Sequence, residues 1–428
     1  MTVLATLIFS TQIYASNLTN FNEPNTQNLI NAMGDQSLNV IQFGDSHTAA
    51  DVMTETLRDR LQSSLGNGGM GWGMPMYFTG QRLAEYGYDN NGWTPISSRT
   101  NKNENYTVGG LLAIPDYSGA TLTIKPKQNE QEQQIKVSIR QANGDGRFSG
   151  VDSMGRQFNI EAPVKNNTWQ LVSFKAKLPF TITANQTQNS AIGGWWAKNA
   201  SGKGAVVSAL GINGAQLNSW DYWNNAWKTE LGQIAPNLVI LAYGTNEAYN
   251  NVNIQNAQQS LVSTIQDIRA ASPNTAIMIV SAPESLRQTA GQCGQRPESL
   301  TEFQQMQVNV AQAQHTLFWD WQQAMGGECS MKQWISRGDG RTDGVHFTTS
   351  GYQKLGAMLA NDLLNLSQRS NLSNSSVTQN QPAMNINHQY INSNQSNSNS
   401  TQNNINNPSV TGQICDADKK NCKSFNFS

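Results

Sequence analysis

The stretch LNVIQFGDSHTAAD at positions 38–51 decides how this chain is read. LNVIQF (38–43) is a short apolar run of strand length, and GDSH (44–47) turns it. Val52, Met53, Leu57 and Leu61 then recur on one helical face, with Arg58, Asp59 and Arg60 largely off it. A Gly-rich loop, GNGGMGWGMP (66–75), follows. Buried strand, tight turn, amphipathic helix and elaborate loop make the opening of an α/β domain.

The same grammar returns after residue 205. AVVSALGI (205–212), NLVILAY (237–243), TAIMIVSAPE (275–284) and TLFWDW (316–321) read as strands, and residues 255–271 as a helix. Leu355, Met358, Leu359, Leu363 and Leu366 make the apolar face of a terminal helix, with Asp362 off it. Strands alternating with helices predict a parallel sheet covered on both faces. Between the two parts, ATLTIKPK (120–127), QQIKVSIR (133–140), WQLVSFKAKL (169–178) and FTITANQ (180–186) are rich in β-branched residues and nearly alternating. Residues 96–205 are therefore expected to form an inserted all-β domain, a small sandwich. The expected α/β domain is thus split into 16–95 and 206–367. From 368 to 428, 33 of 61 residues are Asn, Ser or Gln, which predicts a disordered tail.

At roughly 150 residues per domain, 428 residues fit two or three compact units. The chain is 37% hydrophobic, enough for a core, yet only 13% charged with a formal net charge of -1. Without a basic block it has no electrostatic footprint for nucleic acid or anionic lipid, so neither is an expected partner. No run reaches the roughly eighteen apolar residues of a membrane helix. MTVLATLIFSTQIYA (1–15) reads as the remnant of a secretory signal, or as a buried N-terminal strand, since the first Lys or Arg is Arg58. Export is the expectation.

Four polar clusters fall at or near predicted strand ends. Ser46, between strand and helix, has its hydroxyl near the positive end of a helix dipole, suiting a nucleophile or merely a cap. In Asp343-Gly344-Val345-His346 the Asp can hold one ring nitrogen while the other faces a hydroxyl; the His could equally be structural. His47, His315 and His388 complete the histidines, and none is as well placed for a base. His388 lies in the tail, His315 on a Gln-rich helical stretch, and His47 is expected to pack locally or touch substrate. Gly214, in GINGA (211–215), can expose a backbone N–H, and Asn246, in YGTNEA (243–248), supplies an amide donor. Glu247 is expected to bind loop groups. Each is an ordinary turn residue alone; together they stand at the edge where open α/β sheets place their sites. Cys293 and Cys329 sit in Gly-rich turns and could be cross-linked or free; no cysteine shows paired metal spacing. No metal or cofactor is expected.

GDSH, the Gly of GINGA, GTNE and DGVH resemble blocks I, II, III and V of the SGNH (GDSL-type) hydrolase superfamily. GDSHTAAD, GNGGMGW, GQR followed by YDNNGW, SALGINGAQL, YGTNEA, APESL, CG-x-RP, MGG-x-CSMK and DGVHF are similar to the peptidoglycan O-acetylesterases of Gram-negative bacteria, over roughly 28–366. The resemblance implies a three-layer sandwich interrupted by a carbohydrate-binding-module-like domain. It implies Ser46 as nucleophile, His346 as general base and acid, and Asp343 as its orienting partner. The oxyanion hole would be the N–H groups of Ser46 and Gly214 with the Asn246 side chain, and Cys293 would pair with Cys329. The implied substrate is the acetyl ester on the C6 hydroxyl of N-acetylmuramic acid in peptidoglycan strands, and the implied location the periplasm. Two rivals remain: an O-acetyltransferase using the same residues, and a glycan-binding module with an inert hydrolase part. In the second, aromatics such as Trp195 and Trp196 would stack on sugars.

Overall fold

A computed structural model describes residues 16–128, 131–187, 189–373, 410–415 and 422–427. Residues 1–15, where a signal remnant was expected, lie outside the described residues.

Strand Asn39–Gly44 is buried along its whole length, because it lies inside a sheet covered on both sides. Its side chains part by alternation. Ile41 and Phe43 enter one apolar layer with helices Ala226–Ile234, Ile254–Ala271 and Leu300–Ala313. Val40 enters a second, with Thr26–Gly34, Met53–Leu65 and the terminal helix from Thr349. The sheet has six strands, ordered Leu18–Asn20, Leu317–Trp319, Ala276–Val280, Leu238–Ala242, Asn39–Gly44, Val206–Gly211. All neighbours are parallel except the Leu18–Asn20 edge, which runs antiparallel to Leu317–Trp319. In the register, Gly44 lies opposite Gly211 on one side and Ala242 on the other, so the loops after these three strands leave at one level.

The β-rich region comprises two antiparallel sheets. One orders Gln157–Ile160, Phe148–Asp152, Phe180–Ala184, Thr121–Pro126 and Tyr86–Asn91. The other orders Trp169–Ala176, Gln133–Arg140, Ala191–Asn199, Leu111–Pro115 and Trp93–Ser97, with Gly71–Gly73 added against Ala191–Asn199. Rings from the two meet: Phe180 packs edge-on to Trp195 at 5.3 Å, and Phe148 lies 5.6 Å from Trp93. Trp195 and Trp196 are 1% and 5% exposed, so this pair is core and offers no sugar platform.

The β region begins upstream of the expected residue 96. Tyr86–Asn91 pairs with Thr121–Pro126, and Trp93–Ser97 with Leu111–Pro115. Both are edge strands, which is why Pro95 and the Asp-Asn-Asn run are tolerated there.

The 368–428 stretch is likewise corrected in part. The terminal helix continues to Ser373, and Val410–Cys415 pairs antiparallel with Cys422–Phe427, placing Cys415 opposite Cys422. Asn, Ser and Gln dominate this stretch as a whole, but Val410, Thr411 and Ile414 on one segment and Phe425 and Phe427 on the other supply strand-forming residues.

Candidate active site

Asp45 caps the four-residue helix Ser46–Ala49, its Oδ1 accepting from the His47 N–H at 2.9 Å. Ser46 is the first helical residue, so its N–H has no partner within the helix. The turn fits between strands because residue 44 is glycine. A Cβ there would stand 2.2 Å from Thr48 Oγ1 and 2.7 Å from Ala242 O.

Ser46 Oγ lies 3.0 Å from His346 Nε2, three hundred positions away in sequence. On the far side of the ring, Nδ1 lies 2.9 Å from Asp343 Oδ2. Asp343 Oδ1 accepts from the N–H groups of Val345 and His346 at 2.8 and 2.9 Å, so one carboxylate shapes the loop and orients the ring. Partial burial works to raise its pKa, but the His346 ring and these backbone donors prevail and hold it at about 2. The carboxylate is therefore charged at any working pH and favours Nδ1–H, leaving Nε2 free to accept the serine proton. Its side chain is 45% exposed, so its leverage is smaller than that of a buried triad acid, whose amide replacement costs about 10⁴-fold. Asp343→Asn is expected to lower kcat on p-nitrophenyl acetate by about 10–100-fold. An unchanged kcat would show that the carboxylate does not orient the base.

Gly214 stands exposed with φ +77°, a conformation glycine adopts without strain, and its N–H makes no hydrogen bond among the described residues. Asn246 Nδ2 donates to Ala215 O at 2.9 Å and faces Asp45 Oδ2 at 3.5 Å. The first is a sound hydrogen bond and the second a marginal one. Glu247, buried beneath, accepts from Leu217 N at 2.8 Å and Gly244 N at 3.0 Å, tying the Gly214 and Asn246 loops together. Burial lifts its pKa to about 7 against those donors.

Three features support these groups, and two of them, Tyr352 and Asp45, were not legible beforehand. His47 is buried, its Nδ1 2.8 Å from Tyr352 Oη, and its ring packs 5.2 Å from Trp321 and 5.3 Å from His346. Burial and the neighbouring imidazole depress its pKa well below the usual range, so it stays neutral and supports the His346 ring from behind. Of its two expected roles, local packing is the one found. Tyr352, in a helix whose Leu pattern was the only visible signal, gave no hint of this contact. Asp45, read only as part of a motif, is 1% exposed.

Burial raises Asp45 from its ordinary 3.8 to about 6, although the His47 N–H and the His346 charge pull it back. The unfolded chain loses this proton near 3.8 and the folded chain near 6. The penalty is thus absent below pH 4 and complete once the pH passes about 6. Asp45→Asn keeps an oxygen for the His47 N–H and is expected to raise stability by about 1–3 kcal/mol at pH 7–8 and by nothing at pH 4. Urea melts at both pH values check this; a gain independent of pH would contradict it.

Cys293 and Cys329 form a disulfide with Cα atoms 4.8 Å apart. It ties the 281–299 loop to the turn before helix Ser330–Ser336, and the same loop meets the Asp343–His346 loop where Leu286 N donates to Gly344 O at 2.8 Å. Among the described residues no cluster of three or more His, Cys, Asp or Glu could hold a metal ion, and no helix is long and apolar enough to cross a membrane.

Residues 68–181 match the family described as peptidoglycan O-acetylesterase, N-terminal, and residues 181–354 the GDSL-like lipase/acylhydrolase family. Among solved structures, a peptidoglycan O-acetylesterase is 37% identical, covering 83% of this chain and 100% of its own, at a TM-score of 0.76. A putative GDSL-like lipase from Parabacteroides merdae is 18% identical over 38% of this chain and 72% of its own, at 0.31. An acetylxylan esterase from Geobacillus stearothermophilus is 16% identical over 37% and 73%, at 0.29. No curated protein matches.

Proposed function

The chain belongs to the peptidoglycan O-acetylesterases, and from that premise we propose that it removes O-acetyl groups from the C6 hydroxyl of N-acetylmuramic acid through an acetyl-serine intermediate. The observation that carries the reading is the unbroken chain from Ser46 Oγ to His346 Nε2 at 3.0 Å and from His346 Nδ1 to Asp343 Oδ2 at 2.9 Å.

Ser46 Oγ attacks the acetyl carbonyl while its proton passes to His346 Nε2. The carbonyl oxygen becomes an oxyanion received by the N–H groups of Ser46 and Gly214 and by Asn246 Nδ2. The amide hydrogen released for this duty is the one in marginal contact with Asp45, since the Ala215 bond fixes the side chain. The tetrahedral centre collapses, the C–O bond to the sugar breaks, and His346 returns its proton to the departing C6 oxygen. Water, deprotonated by the same nitrogen, attacks the acetyl carbon; the bond to Ser46 Oγ breaks, His346 returns the proton to Oγ, and acetate leaves. Asp343 stays charged throughout and stabilises the transient imidazolium.

On this reading residues 16–85 and 206–367 make up the hydrolase domain, a three-layer sandwich, and the β region is a carbohydrate-binding-module-like sandwich that begins with the strand at Tyr86 and runs to 205. The enzyme is extracytoplasmic, and in a Gram-negative cell its place is the periplasm, where a disulfide persists. Its partner is the acetylated glycan strand rather than nucleic acid, in keeping with a net charge of -1. Purified protein incubated with O-acetylated sacculi should release acetate; adding a chitooligosaccharide acceptor should yield no acetylated oligosaccharide. Transfer to the acceptor in place of acetate release would overturn hydrolysis as the reaction.

A further inference from the structure

On the His346 side of the site, Arg287 is held in one place by four separate braces. Its own N–H donates to Gln295 O at 2.7 Å, and the turn that follows carries the Cys293–Cys329 disulfide. The preceding residue, Leu286, donates its N–H to Gly344 O at 2.8 Å, inside the Asp343–His346 loop. Tyr249 Oη donates to Leu286 O. The Arg287 guanidinium lies over the Tyr249 ring, 5.1 Å from its centroid, and Nη2 donates to Tyr249 O.

This cation is exposed, and three acids of the neighbouring loops are engaged elsewhere. Glu284 and Glu328 pair with Arg296 at 2.8 and 3.3 Å, and Asp343 with His346 at 2.9 Å. A guanidinium has five N–H donors in a fixed fork. Ring stacking and one carbonyl engage part of that fork; the remaining donors have no partner among the described residues. Arg341, also exposed, donates its N–H to His346 O at 2.8 Å and so brings a second cation to the Asp343–His346 loop. A charge already fixed in position loses little side-chain entropy when it meets its counter-ion.

We propose that Arg287 is a specificity-determining residue that receives a carboxylate of the acetylated muramyl unit. This rests on the substrate reading above. Muramic acid differs from the other sugars of acetylated glycans by its lactyl ether, which ends in a free carboxylate or carries a peptide bearing carboxylates. A neutral acetylated sugar has nothing to offer a guanidinium. A muramyl unit does, and the bidentate fork suits a carboxylate.

The test compares wild type, Arg287→Gln and Arg287→Lys on three O-acetylated substrates: muropeptides with their stem, the same glycan stripped of peptide, and a neutral acetylated chitooligosaccharide. For Arg287→Gln, KM on the acidic substrates should rise about tenfold relative to KM on the neutral one, with kcat nearly constant. Arg287→Lys should recover part of that loss, and added salt should weaken the wild-type preference more than the variant's. A rise confined to stem-bearing substrate assigns the carboxylate to the peptide, a rise confined to the stripped glycan assigns it to the free lactyl group, and a rise on both shows that the fork receives either one. Equal KM for wild type and Arg287→Gln on all three, or the same loss on all three, overturns the proposal. Should wild type release no acetate from either muramyl substrate, the substrate reading itself has failed instead.

Discussion

Ser46→Ala is expected to lower kcat/KM for acetate release by about 10⁴–10⁶-fold, a loss of roughly 5–8 kcal/mol of transition-state stabilisation. No other hydroxyl replaces the one that becomes acylated, and His346 then has no proton to accept. What survives is catalysis by the oxyanion donors and by substrate binding, typically about 10³-fold over water. The fold should be unaffected. The Ser46 side chain makes one part-buried hydrogen bond, to His346, and alanine suits the first helical position. Stability should therefore change by less than about 1 kcal/mol. Turnover of p-nitrophenyl acetate and of O-acetylated muropeptides, with a urea melt beside them, checks both halves. Activity within tenfold of wild type would remove Ser46 as nucleophile.

The second large effect belongs to Asn246. Removing its amide by Asn246→Ala should cost about 10²–10³-fold in kcat, the usual loss for one oxyanion donor. KM should move little, because the donor meets charge that develops only after attack. The Ala215 bond is lost as well, so a stability decrease of about 1 kcal/mol should accompany it. Asn246→Asp is the sharper variant. It keeps the size but sets a carboxylate against the oxyanion and within reach of Asp45, so its kcat should fall at least as far. A kcat loss below about tenfold for Asn246→Ala would take this side chain out of the hole.

The central sheet was legible because its strands are buried on both faces: LVILA and AIMIV are continuous apolar runs with no polar alternation to mislead. The loops around the site were legible as turn chemistry, and only their joint order pointed beyond it. Edges were a different matter. Tyr86–Asn91 and Trp93–Ser97 owe their conformation to backbone pairing with better strands, so residues of poor β propensity sit in them unannounced. Leu18–Asn20 is three residues long, too short for any period to register. Most hidden were the buried polar groups. Nothing in G-D-S tells that Asp45 is enclosed beside Ser46, and Tyr352 reaches His47 across 305 positions. Two cysteines in Gly-rich turns were compatible with a bridge or with two thiols, and the fold brings them together.

Acetyl capture tests the relay most directly. O-acetylated muropeptide mixed with enzyme, quenched with acid within a single turnover and digested, should yield the Ser46 peptide carrying one acetyl group that disappears as acetate accumulates. Acetate appearing at full rate while Ser46 is never acetylated, or an acetyl group found on another residue in its place, would contradict the mechanism.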